Sequence, residues 1–290
     1  MQHYSLLLQL MNFKQLEDYF IEEISSLYEA DEAKQLFYLV TDYISGWSRG
    51  QLMMNKNEIV APESYIAYEK VTAELKKGKP LQHITGATWF YGLKFSVSGS
   101  VLIPRPETEE LVDWILADIK GAKDVTLLDI GTGSGCIAIS LKANLETAEM
   151  SALDVSEDAL KIAKENAETN KTVVNFIQSD ILGYHTEDKY SVIVSNPPYI
   201  KEDEKPEMHQ NVLAYEPHLA LFVSNENPLI FYSAIADFAV KQLKTGGKLY
   251  FEINEYLGEE TMDMLRNKGF KNRVLRKDLQ GKDRMICCSL

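Results

Sequence analysis

The stretch Val125-Thr126-Leu127-Leu128-Asp129-Ile130-Gly131-Thr132-Gly133-Ser134-Gly135 decides how this chain folds. A β-branched and leucine run ends at Asp129-Ile130, three glycines alternate after it, and an apolar helical stretch from Cys136 to Leu145 follows. Strand, glycine turn and helix in that order open an α/β sheet, and glycines at such a turn let the backbone approach a ligand where side chains would block it. The sixth position of the turn is Cys136 rather than glycine, so the segment is not the dinucleotide fingerprint. No Gly-Lys-Ser/Thr follows, which excludes a P-loop.

Outward from this turn, strands and helices alternate to the end of the chain. Strands are expected near residues 125–130, 149–154, 173–178, 190–195 and 247–253, with helices from Pro228 to Leu243 and from Leu257 to Lys268. Arg273 to Arg276 and Arg284 to Ser289 read as a closing antiparallel pair, giving a Rossmann-like, mostly parallel sheet of seven strands. Ligands of such sheets bind outside the carboxyl ends of the strands. Those ends carry an ordered set of polar residues. The second strand ends at Asp154, nineteen residues past Gly135, where a carboxylate can accept hydrogen bonds from ribose hydroxyls. The third closes with Ile177-Gln178-Ser179-Asp180, which offers Asp180 to the exocyclic amine of an adenine. Each acid alone reads as a helix N-cap or a solvated loop group. In sequence they suit an adenosine-containing cofactor lying across the strand ends.

The fourth strand, Tyr190 to Val194, runs into Ser195-Asn196-Pro197-Pro198-Tyr199. Two prolines fix φ, carry no N–H, and push the residues before them towards extended backbone. The turn therefore presents stiff carbonyl acceptors. Asn196 adds a side-chain carbonyl and Tyr199 a flat face. A planar NH2 group held there can donate both hydrogens to the protein while its face points at an electrophile.

Bulk composition narrows the classes. Of 290 residues, 45% are apolar and 25% charged, which is ordinary for a soluble globular chain, and the length allows two cores. Net charge is −13, with acid in excess in both parts: 8 Lys/Arg against 12 Asp/Glu through residue 79, and 22 against 31 beyond it. That balance opposes phosphate-driven binding to duplex DNA. Three cysteines, Cys136, Cys287 and Cys288, show no metal-ligand spacing and fit a reduced compartment, and no histidine pattern suggests a metal. With no secretory leader pattern and no uncharged apolar run of about 18 residues, a cytoplasmic location is expected.

Residues 1–78 read as a helical domain: Phe13 to Leu27, Ala30 to Tyr43, and Glu63 to Lys77 behind Pro62. No catalytic constellation lies there, and recognition of a protein partner is its expected task. Residues 79–106 read as a connector with a β-hairpin, Trp89-Phe90-Tyr91 and Lys94 to Val97, ending in Pro104-Arg105-Pro106. Arg105, rigid between prolines at the domain boundary, is a candidate substrate-binding residue. Residues 107–290 form the expected catalytic domain.

Five blocks carry a resemblance to a known family: Pro80 to Gly86, Leu102-Ile103-Pro104-Arg105-Pro106-Glu107-Thr108-Glu109, the glycine turn, Ser195 to Ile200, and Tyr215-Glu216-Pro217-His218 with Ala220-Leu221-Phe222. Together they resemble the glutamine-N(5) protein methyltransferases of the HemK/PrmC type, and the similarity runs along the whole chain. The resemblance implies S-adenosylmethionine as donor, the glutamine of the Gly-Gly-Gln loop of class-one peptide chain release factors as acceptor, and a helical N-terminal domain on a class I methyltransferase domain. By position it implies cofactor contacts at Gly131, Thr132, Gly133, Ser134, Gly135, Asp154, Ile181 and Asn196, and the strand-end reading adds Asp180. It implies an acceptor pocket at Asn196, Pro197, Pro198 and Tyr199, with Asn196, Pro197 and Tyr199 carrying the chemistry. Two positions depart from the pattern. Ile181 stands where some relatives have tryptophan, and Glu252-Ile253-Asn254 replaces a more usual Glu-x-Gly. Two rivals remain: methylation of N6 of adenine or another exocyclic amine in nucleic acid, and a cofactor-binding adaptor without turnover.

Overall fold

The computed structural model describes residues 11–290. The chain divides into two compact units, Met1–Thr85 and Gly86–Leu290.

The first unit is helical over its described residues. Helix α1 (Phe13–Ile24) starts from a capping box in which Asn12 and Gln15 each bond the other's backbone N–H, and it buries Phe13, Leu16, Phe20 and Ile24 on one face. Helix α2 (Ala30–Ser45) ends at Gly46, whose φ of 66° supplies the left-handed stop. Helix α3 (Arg49–Asn55) follows a second capping box, and α4 (Pro62–Leu75) carries proline in its first turn. Helix α5 (Leu81–Thr85) closes the unit. Phe37 of α2 and Tyr68 of α4 stack with ring centroids 5.6 Å apart, and the Tyr68 hydroxyl donates to Thr41 Oγ1 at 2.7 Å. The aromatic positions of this unit thus build its core. Sequence periodicity anticipates α1, α2 and α4 but not α3, which buries only Leu52 and so shows no repeating apolar face.

The second unit opens with the hairpin β1 (Ala87–Phe90) and β2 (Leu93–Ser96), joined through Tyr91 and Gly92, both with positive φ (51° and 73°) as a two-residue hairpin turn of the right twist requires. This hairpin is not a free connector. Phe90 and Phe95 are buried in the main core, so the boundary between compact units falls at Thr85/Gly86 rather than on either side of 79–106.

Helix α6 (Pro106–Asp118) leads to β3 (Thr126–Ile130), α7 (Cys136–Asn144), β4 (Glu149–Asp154), α8 (Glu157–Thr169), β5 (Asn175–Gln178) and β6 (Tyr190–Ser195). An excursion follows that periodicity does not reveal: β7 (Ile200–Lys201), a 3-10 turn (Glu202–Glu207), α9 (Gln210–Tyr215), α10 (His218–Leu221) and β8 (Phe222–Val223), with β7 and β8 paired in parallel. Then come α11 (Ile230–Gln242), β9 (Leu243–Glu252), α12 (Gly258–Asn267), β10 (Lys271–Lys277) and β11 (Asp283–Ser289). The seven strands order as β10-β11-β9-β6-β3-β4-β5, with only β11 running against its neighbours. Chain order reverses between β3 and β6, which creates the switch-point crevice of a doubly wound sheet. Both faces are covered. Leu127, Val192 and Val194 pack with residues of α6 and α7, while Leu128, Ile193 and Phe251 pack with residues of α11 and α12.

Candidate active site

Strand register sets the site before any side chain is considered. Ile130 pairs with Ser195, and Ser195 with Phe251, so the residues that follow (Gly131, Asn196 and Glu252) leave three adjacent parallel strands side by side. Ser195 Oγ donates to the Ile130 carbonyl at 2.7 Å, tying the first two strand ends together.

Gly131 and Gly133 have φ of 72° and 54°, a conformation that suits glycine, and a Cβ on either would meet nothing within 4 Å. The open space above them belongs to a cavity of about 170 Å3. The backbone of the turn is braced from the second strand. Gly131 and Thr132 N–H donate to the Leu153 carbonyl at 2.8 and 3.0 Å, and Gly133 N–H donates to Asp154 Oδ2 at 2.8 Å. The other oxygen of Asp154 accepts from Ser156 N–H at 2.9 Å. Burial raises the Asp154 carboxyl above its ordinary range, and these backbone donors oppose that rise. Gly135 differs from its two neighbours. It does not line the cavity, and a Cβ there would lie 2.8 Å from Ile139 Cδ1 and 3.2 Å from Ala163 Cβ. Its glycine serves the packing of α7 against α8, whereas the sequence grouped it with the cofactor contacts. Asn166 of α8 supports the same turn by donating to the Ser134 carbonyl at 2.9 Å, while it also bonds both backbone groups of Ser96.

Beneath the turn Asp129 is 0% exposed and accepts from Thr132 Oγ1 at 2.6 Å. Burial pushes its pKa up to about 7, and the Thr132 bond opposes the shift while Asp154 adds to it.

Around the same cavity stand Asp180, Ile181, Asn196, Pro197, Pro198 and Arg105. Of the residues singled out in the sequence, only Gly135 and Tyr199 are not on its wall. Tyr199 turns towards the sheet, where its hydroxyl donates to Glu252 Oε1 at 3.3 Å. Arg105 is not a solvated linker residue. Its guanidinium donates to Glu216 Oε1 at 2.7 Å, and Glu216 Oε2 accepts from Ile103 N–H at 3.3 Å. The buried Glu216 carboxylate thereby fastens the 103–105 segment to the excursion after β6. Sequence reasoning did not assign Glu216 a role. Its signal lay in the Tyr215-Glu216-Pro217-His218 block, but only the fold reveals its partner 111 residues away. Thr108 is likewise new. It lines the cavity, and its hydroxyl donates to Glu252 Oε2 at 2.6 Å.

Among the described residues no group of His, Cys, Asp and Glu could hold a metal ion, and no helix is long and apolar enough to cross a membrane. The chemistry of the site is that of hydrogen-bond acceptors. Asp154 and Asp180 face a cavity that also has apolar walls at Ile181 and Val155, and the Asn196 corner forms another side.

Known proteins resemble this chain along most of its length. The family model "Methyltransferase small domain" matches residues 110–219, and "PrmC N-terminal domain" matches residues 22–86. A release factor glutamine methyltransferase of Flavobacterium psychrophilum is 45% identical over 282 residues, covering 95% of this chain and 98% of its own length. One from Bacteroides thetaiotaomicron is 42% identical, covering 92% and 96%. A solved methyltransferase from Pyrococcus furiosus superposes with a TM-score of 0.51 at 18% identity, over 74% of this chain and 98% of its own, which speaks for the fold alone. With such identity along nearly its entire length, this chain belongs to the release factor glutamine methyltransferase family.

Proposed function

We propose that this enzyme transfers the methyl group of S-adenosylmethionine to the side-chain amide nitrogen of the glutamine in the Gly-Gly-Gln motif of class-one peptide chain release factors. The observation that carries this reading is the convergence of the braced glycine turn and the Asn196-Pro197-Pro198 corner on one cavity. The cavity fits an adenosine-containing donor. Gly131 and Gly133 leave open space along the turn, Asp154 and Asp180 offer carboxylate acceptors to hydroxyl and amino groups, and Ile181 and Val155 supply apolar packing for a flat base. When bound, S-adenosylmethionine supplies a methyl group made electrophilic by its sulfonium.

An amide nitrogen is a poor nucleophile because its lone pair is delocalised into the carbonyl. Positioning is therefore the main contribution of the protein, and orienting two bound reactants can supply roughly 7–11 kcal/mol of a barrier. The Asn196 side-chain oxygen and the Pro197 carbonyl accept the two N–H hydrogens of the substrate amide. They favour a more pyramidal nitrogen as positive charge develops on it. The two prolines keep this corner stiff and free of competing donors. Arg105, held by Glu216, faces the cavity as a fixed cation for the backbone or carbonyl oxygen of the incoming loop. No classical base is required, since the charged nitrogen formed on transfer is a strong acid in water.

The helical unit recognises the body of the release factor. A net charge of −13 weighs against nucleic acid as the direct substrate, and the work of the enzyme is in the cytoplasm, where its substrate resides. Incubating the protein with labelled S-adenosylmethionine and, separately, with release factor, DNA and RNA tests the assignment. Label on the glutamine of the release factor alone is the expected result. Label in nucleic acid alone would overturn it.

A further inference from the structure

The end of β9 supports the corner from outside its own strand and turn. Glu252 and Asn254 are 2% and 4% exposed, and they flank Ile253, which is buried in the core below. Glu252 Oε1 accepts the Tyr199 hydroxyl at 3.3 Å, and Oε2 accepts Thr108 Oγ1 at 2.6 Å. Asn254 Nδ2 donates to the Tyr199 carbonyl at 3.1 Å and to the Glu204 carboxylate at 3.3 Å. Its Oδ1 accepts Tyr256 N–H at 3.0 Å, which fixes which end of the amide faces Tyr199. Tyr199 is thus gripped at both its hydroxyl and its backbone carbonyl, and the two grips come from residues two apart on one strand end. The base of the grip is itself fixed, because the Tyr232 hydroxyl donates to the Glu252 carbonyl at 3.2 Å.

We infer that Glu252 and Asn254 are positioning residues for methyl transfer: they clamp Tyr199, and through Pro197 and Pro198 they hold the carbonyl acceptors of the Asn196 corner against the cavity. The inference rests on the proposed reaction for its kinetic consequence but not for its structural one. A proline pair transmits such a restraint well, because its fixed φ leaves few ways for the corner to relax independently of Tyr199. The amide at 254 also explains its own chemistry. Only a side chain that both donates and accepts can bond the Tyr199 carbonyl and Tyr256 N–H at once. Glycine at this position would make neither side-chain bond.

Asn254→Asp keeps size, shape and the bond from Tyr256 N–H, but cannot donate to the Tyr199 carbonyl and places a second carboxylate beside Glu204. The expected result is a fall in kcat of about tenfold or more, with the Kd for S-adenosylmethionine within about twofold of wild type. Hydrogen exchange at the backbone amides of Asn196 and of Tyr199 to Lys201 should accelerate while exchange in β3 and β6 stays unchanged. A kcat within about twofold of wild type, or cofactor affinity falling in step with kcat, overturns the inference. Glu252→Leu, which removes the acceptor that Gln would keep, and Tyr199→Phe provide an independent arm. Because they break one shared contact, the double variant should lose no more than the worse single, and multiplied losses count against the clamp. If the wild-type enzyme left the release factor unmethylated, the proposed function would fail. The exchange measurement would still decide on the clamp.

Discussion

Two turns leave adjacent strands of the same sheet, and they are built on opposite physical plans. The glycine turn after β3 gains its shape from residues that permit unusual backbone angles, with φ of 72°, 54° and 81° at Gly131, Gly133 and Gly135. The corner after β6 gains its shape from residues that forbid most angles, Pro197 and Pro198. The first, which in the proposed reaction brings backbone close to a ligand, lacks side chains at its glycines and is braced by near neighbours, Leu153 and Asp154 on the next strand. The second, which in the proposed reaction aims acceptors at the substrate, is stiff and takes outer support from Glu252 and Asn254, 53 and 55 residues from Tyr199. Binding and aiming thus place different demands on neighbouring loops.

Replacing Asn196 by Ala should break the aiming turn most severely. Loss of an acceptor that acts as charge develops is expected to lower kcat by about 10²–10³. Calorimetric titration should show S-adenosylmethionine binding little changed. Comparable losses in both would mean that Asn196 builds the cofactor pocket instead.

Within the binding turn, Gly135→Ala should destabilise by about 1–3 kcal/mol, because the new methyl meets Ile139 and Ala163 and the backbone is left-handed. Urea unfolding measures it. Gly133→Ala separates packing from binding: it meets open space, so stability should fall by only about 1 kcal/mol, from its backbone angle. Cofactor affinity should still drop by about tenfold, since the added methyl intrudes on the cavity.

A pH slope tests the support beneath the binding turn. Asp129 has its pKa raised from 3.8 to about 7, so the folded state binds this proton more tightly than the unfolded chain. Its contribution to stability is complete below the unfolded pKa and is lost as pH rises from about 4 to about 7. Denaturation midpoints across that window should therefore decline more in wild type than in Asp129→Asn, which carries no titrating proton. Equal slopes in the two proteins would remove Asp129 as the cause.

Much of this contrast was legible in the residues. Glycine and proline are local in their action, and the strands feeding both turns are apolar runs, so the existence and type of each turn followed from short-range rules. What escaped were features without period or local cause. Helix α3 buries one residue, and the excursion from β7 to β8 has no repeating face. Glu216 could not be read as the anchor of Arg105, nor Thr108 as a partner of Glu252, because each contact spans more than a hundred residues. The packing role of Gly135 escaped for a related reason: its neighbour Ala163 lies on another helix.

The sequence by itself determined the sheet, its strand ends and the chemical character of each turn, since periodicity, φ restriction and the absence of a side chain act within a few residues. Tertiary structure alone decided which of those residues share a cavity, that Tyr199 turns away from it, and that Glu252-Ile253-Asn254 grips the corner. Register between parallel strands sets those outcomes, because it brings Gly131, Asn196 and Glu252 abreast from distant parts of the chain.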